Sequence, residues 1–176
     1  LDNALTLNDI FTHRYWTGAL MASYDCLPVS SLRLYAEFEY AYTSMNGRNI
    51  HDFLPRAMIE WHPAAEALLS LRYDKLLVRP SLNYLNPAEV REPLAIRSGN
   101  GDIVGMHLHK VSFDFGWKFP SLSAHLNASY LYTKDGFNAI WMERGNIRIY
   151  KWGNEGVRHA VSITPSLKMK ASGTTD

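Results

Sequence analysis

Residues 107–119 read His107-Leu108-His109-Lys110-Val111-Ser112-Phe113-Asp114-Phe115-Gly116-Trp117-Lys118-Phe119. In an extended chain, successive side chains point to opposite faces. Val111, Phe113, Phe115, Trp117 and Phe119 then form one hydrocarbon and aromatic face; Ser112, Asp114, Gly116 and Lys118 form a polar one. A soluble sheet can show such a segment once. Repetition of the pattern along the chain, with tyrosine and tryptophan at segment ends, is how a membrane-spanning β-barrel reads.

The repetition is there. Working outward from 107–119, which is the fifth segment, six others alternate in the same way. The first runs from Arg14 to Tyr24 and the second from Leu32 to Thr43. The third is Leu54–His62, the fourth Glu66–Asp74, the sixth Leu122–Thr133 and the seventh Val157–Met169. Most are near the 9–11 residues that carry a tilted strand across hydrocarbon. The period is two rather than 3.6. On a helix, Glu37 and Glu39 would sit about 200° apart and spoil any single polar face.

The links supply an orientation. Leu27–Ser31, His62–Ala65 (around Pro63) and Pro120-Ser121 are short. Ser44–Phe53, Lys75–Met106 and Lys134–Gly156 are longer. Bacterial barrels have short periplasmic turns and long extracellular loops, so the first segment runs inward and the second outward. Tyr40, Tyr42, Tyr73, Tyr130 and Tyr132 then fall at outer ends, and Tyr24, Trp61, Trp117 and Phe119 at inner ends. This is the placement of two aromatic belts. In the last long link, Asn138–Glu143 and Ile147–Trp152 flank Arg144-Gly145-Asn146, which reads as a hairpin extending segments six and seven above the membrane.

Composition bounds the alternatives. The net charge of +1 is scattered over the 176 residues, which gives no field for nucleic acid. Mean hydropathy is −0.21, and no stretch approaches the roughly 20 consecutive apolar residues of a helical span. Cys26 is the single cysteine, so no internal disulfide exists. Seven is an odd number, and bacterial single-chain barrels have even ones. The expectation is a single partial β-barrel domain over residues 1–176, with Leu1–Thr12 a weak candidate for an eighth strand.

The stretch Arg72-Tyr73-Asp74-Lys75-Leu76-Leu77-Val78-Arg79-Pro80-Ser81-Leu82-Asn83-Tyr84-Leu85-Asn86-Pro87 resembles a signature in the C-terminal barrel of TonB-dependent outer-membrane transporters, of the Bacteroidetes β-barrel type. Gly99-Asn100-Gly101-Asp102 stands where that family often has Gly-Asn-Pro, and Ser129–Asp135 resembles its strand-to-loop transition. The resemblance implies a barrel of about twenty-two strands around an N-terminal plug, driven by TonB. The plug and a TonB-box segment are absent from this sequence. It implies outer-membrane lipid, the remaining strands, the plug and TonB as partners, together with a nutrient ligand that the sequence does not identify.

Catalytic chemistry is poorly represented. Gly99-Asn100-Gly101 lacks the lysine and helix of a phosphate loop. Glu37 and Glu39 share a face but read as lumen lining beside Arg33 and Arg72, and no nucleophile elbow appears. His107 and His109 could offer two metal ligands, but no third is indicated. The reading is a non-enzyme without a cofactor or metal. Arg33, Glu37, Glu39, Glu60, Arg72, Asp114 and Lys118 are lumen-lining candidates. Arg91, Arg97 and Trp141, in the long links, are candidates for ligand contact. The competing reading is a complete small eight-stranded barrel with an adhesin or structural role; a barrel enzyme acting on lipid is the third.

Overall fold

The computed structural model describes residues 15–45 and 47–169. Eleven strands and one short helix follow in the order β1 (Tyr15–Val29), β2 (Leu32–Met45), β3 (Arg48–Ala64), β4 (Ala67–Val78), α1 (Leu82–Leu85), β5 (Val90–Glu92), β6 (Ala95–Ser98), β7 (Met106–Lys118), β8 (Leu122–Lys134), β9 (Phe137–Arg144), β10 (Ile147–Asn154) and β11 (Val157–Met169). All seven alternating segments are strands of one antiparallel sheet, ordered β1-β2-β3-β4-β7-β8-β11. Among the described residues the sheet is open: β1 and β11 are its two edges. Leu1–Thr12 lies outside the described residues.

The register keeps like with like. Leu71, Phe113, Ala128 and Ile163 stand side by side across β4, β7, β8 and β11. Phe38 stacks on Phe53 from the neighbouring strand, ring centroids 5.6 Å apart. Among the described residues nothing covers this apolar face: Leu20 is 73% exposed and Ile163 66%. The opposite face is polar from β2 to β11.

The connections at the inner end are tight, at Ser30-Ser31, Ala65-Glu66 and Pro120-Ser121. The second of these turns two residues later than Pro63 suggests. A register shift between Trp61 and Ala64 lets the proline sit in the strand.

The outer end departs from the sequence reading in three ways. Ser44–Phe53 is not a long loop. β2 and β3 stay paired up to Met45 and Arg48, and the chain reverses at Gly47, whose φ of 80° suits a residue without a side chain. Lys75–Met106, the longest link, carries regular structure of its own. β4 continues to Val78, α1 and the β5–β6 hairpin follow, and Gly99 to Gly105 returns to β7. The hairpin at Arg144-Gly145-Asn146 forms as β9 and β10, with Gly145 at φ 64°. It does not extend β8 and β11. It breaks away at Asp135 (φ 59°) and joins the other link in a second sheet, β5-β6-β10-β9, where β6 and β10 run parallel.

The cluster of buried hydrocarbon lies in this outer layer. Met45, Leu85 and Ile103 are enclosed, with Ile50, Tyr84, Phe137 and Trp152 packed around them. Met45 and Ile50 stand on the polar-face side of β2 and β3, so the cap leans over the inner face of that hairpin.

Candidate functional site

The polar face carries a network of ion pairs and hydrogen bonds, some across strands and some along one strand. Glu37 lies directly opposite Arg56, which reaches Glu37 at 2.9 Å and Glu39 at 3.8 Å. The Tyr35 hydroxyl also donates to Glu37. Arg72 holds Asp74 at 2.8 Å, Arg33 holds Asp25 at 2.6 Å, and Glu60 accepts from His62 at 3.0 Å. Asp114 accepts from Asn127 at 2.6 Å, with His125 at 3.7 Å. Lys118 lines a recess of about 420 Å³ near the inner rim with His62, Glu66, His125 and Lys168.

Arg33, Glu37, Glu39, Glu60, Arg72, Asp114 and Lys118 therefore share one face, but the partner of the two glutamates is Arg56, not Arg33 or Arg72. Alternation puts Arg56 on the polar face of the third segment, but it is not among the lumen-lining candidates. Its signal is long-range: pairing Leu34 with Ile59 places it opposite Glu37.

The outer cap holds the loop candidates, and it divides them. Arg97 and Trp141 are each paired with Tyr150, on either side of it, so the three lie across adjacent strands on one face. Arg97 stacks over the Tyr150 ring at 5.7 Å and contacts Glu92 at 3.4 Å. Arg91 alternates to the other face and binds Glu89 at 2.9 Å. A recess of about 190 Å³ between Arg97, Asn83, Asn86 and Trp152 adds amide, guanidinium and indole groups, chemistry suited to a polar ligand. Tyr84 and Trp152, which the sequence reading did not single out, support it with ring centroids 4.1 Å apart.

The residues that resemble a family signature hold this cap together. The N–H of Gly99 donates to the Asn86 carbonyl at 2.7 Å, and that of Asn100 to Tyr84 at 2.6 Å. A Cβ at Gly99 would lie 2.3 Å from the Asn86 carbonyl oxygen, so glycine is required by close backbone approach. Asn86 and Asn100 each accept a backbone N–H two residues on with their side-chain oxygens. The Asn154 side chain donates to the carbonyls of Val104 and Asp135 and accepts from the Val104 N–H. Arg48–Asp102 at 2.6 Å and Arg79–Thr43 at 3.3 Å tie the cap to the β2–β3 hairpin, and His107 at the outer end of β7 reaches Asp52 of β3 at 2.8 Å. His107 and His109, read as one pair, have separate partners, since His109 bonds Tyr73.

The model of the outer membrane protein beta-barrel family matches residues 32–174. The chain belongs to this family. As an outer-membrane barrel wall, it turns its apolar face to lipid and its cap to the medium. The ferric enterobactin receptor PfeA of Pseudomonas aeruginosa superposes with a TM-score of 0.72 at 14% identity, over 86% of this chain and 24% of the receptor. The FrpB iron transporter of Neisseria meningitidis gives 0.65 at 11%, over 92% and 24%. The copper transporter OprC gives 0.69 at 10%, over 92% and 27%. The chain thus spans about a quarter of the solved structures it matches. No curated protein matches it.

Proposed function

We propose that this family member is a wall segment of an outer-membrane, TonB-dependent nutrient-uptake transporter, and not an enzyme. The observation that carries the reading is the sheet itself. Seven consecutive wall strands with a polar inner face and a folded outer cap superpose on receptors and transporters four times as long. In this reading Arg33, Glu37, Glu39, Glu60, Arg72, Asp114 and Lys118 line a wet lumen beside a plug supplied by the rest of the protein. Arg97 and Trp141, together with Tyr150, offer a cationic and aromatic surface to the incoming nutrient; Arg91 serves the cap's other face.

The test uses the full-length protein in cells. Deletion of its gene is expected to abolish energy-dependent depletion of one nutrient from a panel of iron chelates, glycans, peptides and cobalamin. Removal of TonB is expected to do the same. Arg97→Ala with Trp141→Ala is expected to weaken binding to whole cells about tenfold, the loss of one or two good polar or stacking contacts. Uptake that survives TonB removal would overturn the reading.

A further inference from the structure

The three hairpins that point outward repeat one device on the lipid-facing side. Tyr40 on β2 bonds His51 on β3 at 2.5 Å, Tyr73 on β4 bonds His109 on β7 at 2.8 Å, and Tyr130 on β8 bonds His159 on β11 at 2.6 Å. In each hairpin the outward strand carries the tyrosine and the inward strand the histidine. The histidine stands one pleat further out, on the diagonal that aromatic side chains can span. Directly opposite each histidine is Tyr42, Lys75 or Tyr132. The sequence shows the repeat as Tyr40-Ala41-Tyr42, Tyr73-Asp74-Lys75 and Tyr130-Leu131-Tyr132.

An aromatic belt needs only tyrosine and tryptophan. Histidine adds something else. Bonding through Nδ1 fixes each ring by the tyrosine below it, as an outer partner orients a metal-ligating histidine. When the tyrosine donates, the neutral ring carries its proton on Nε2, and in the imidazolium Nε2 is again an N–H donor. Lys75 and Lys134 add full positive charges on the same face at the same end. Among the described residues, the lipid-facing positions of the seven strands carry no aspartate or glutamate at all. The face is uncharged below this row and cationic at it.

We propose that the tyrosine–histidine row, with Lys75 and Lys134, binds the phosphate groups of a phosphorylated glycolipid in the outer leaflet. Charge complementarity selects the occupant: fixed N–H donors and two ammonium groups face the level at which lipid phosphates lie, and the carboxylate that comes near the row, Asp52, is taken up by His107 at 2.8 Å. The apolar face below receives the acyl chains.

The full-length protein, delipidated in detergent, is titrated with purified lipid A and with the same lipid dephosphorylated, binding being followed by native mass spectrometry. The phosphorylated form is expected to bind about tenfold more tightly, the effect of a few charge-assisted bonds. The variant H51Q/H109Q/H159Q/K75Q/K134Q is expected to lose that preference while retaining heat-modifiable migration on gels, the mark of a folded barrel. K75R/K134R is expected to keep it. Equal binding of the two lipids by the wild type would overturn the proposal, as would an undiminished preference in the folded variant. Displacement of lipid A by inorganic phosphate at equal concentration would overturn it too, since the site would then read a free anion rather than a lipid.

Discussion

Individual residues here are held to one of two environments by a period of two, and each environment sets its own cost. Phe113 stands between Leu71 and Ala128 near the centre of its strand on the lipid face. A charge at that depth costs about 2–4 kcal/mol. Phe113→Arg is therefore expected to reduce folding yield into detergent or bilayers, read as loss of the heat-modifiable gel band, while Asp114→Asn on the other face leaves the yield near wild type. Arg56 answers two carboxylates, and Glu37 is only 8% exposed. Arg56→Ala strands a covered charge, so a loss of about 1–3 kcal/mol is expected in denaturant titration of the full-length protein. Mutating Glu37 to glutamine in the same chain should recover part of it. Gly99 has a different constraint, since backbone atoms occupy the place of its Cβ. Gly99→Ala is expected to leave the barrel assembled but to expose the 75–106 link to protease on intact cells.

At the level of elements, the outer cap is where a sequence of apparent loop becomes structure. Leu85 and Arg91 belong to the same link, six residues apart, yet Leu85 is 2% exposed and Arg91 is open. Cysteines placed at the two positions should separate a folded cap from a mobile loop. A membrane-impermeant thiol reagent on intact cells is expected to label Arg91→Cys quickly and Leu85→Cys slowly, in the Cys26→Ser background. Equal labelling would mean that the cap opens on the time scale of the reaction. Trp152 and Tyr84 are its hinge of contact between the two links, because neither β5–β6 nor β9–β10 buries a core alone. Arg97, Tyr150 and Trp141 owe their common face to the parallel pairing of β6 with β10.

For the whole molecule, the open sheet sets the limit on what the chain does by itself. Among the described residues, the outer sides of β1 and β11 lack partners in the sheet. In hydrocarbon each unpaired backbone group costs several kcal/mol. The 176-residue chain expressed alone is therefore expected to give no heat-modifiable monomer, whereas the full-length protein gives one. A closed monomeric barrel from this chain, detected by gel and by circular dichroism, would contradict the reading as a wall segment.

The seven wall strands were legible in the sequence because the cause is local. Each strand meets lipid on one side and polar surroundings on the other, so Leu32–Thr43 or Leu122–Thr133 states its own fold and faces in about a dozen letters. The tyrosines at the outer ends and the sharing of one face by Arg33, Glu37, Glu39, Glu60, Arg72, Asp114 and Lys118 follow from the same period. Tertiary structure alone decided the rest. The partnership of Arg56 with Glu37 depends on strand register. The extension of β2 and β3 to Gly47 and the separation of Arg91 from Arg97 depend on how neighbouring strands pair, and the burial of Leu85 and Ile103 depends on contacts between distant segments, such as those of Met45 and Trp152. Local periodicity carries no record of such contacts. They form because water, unlike lipid, rewards a cap only when apolar side chains from several segments close over one another.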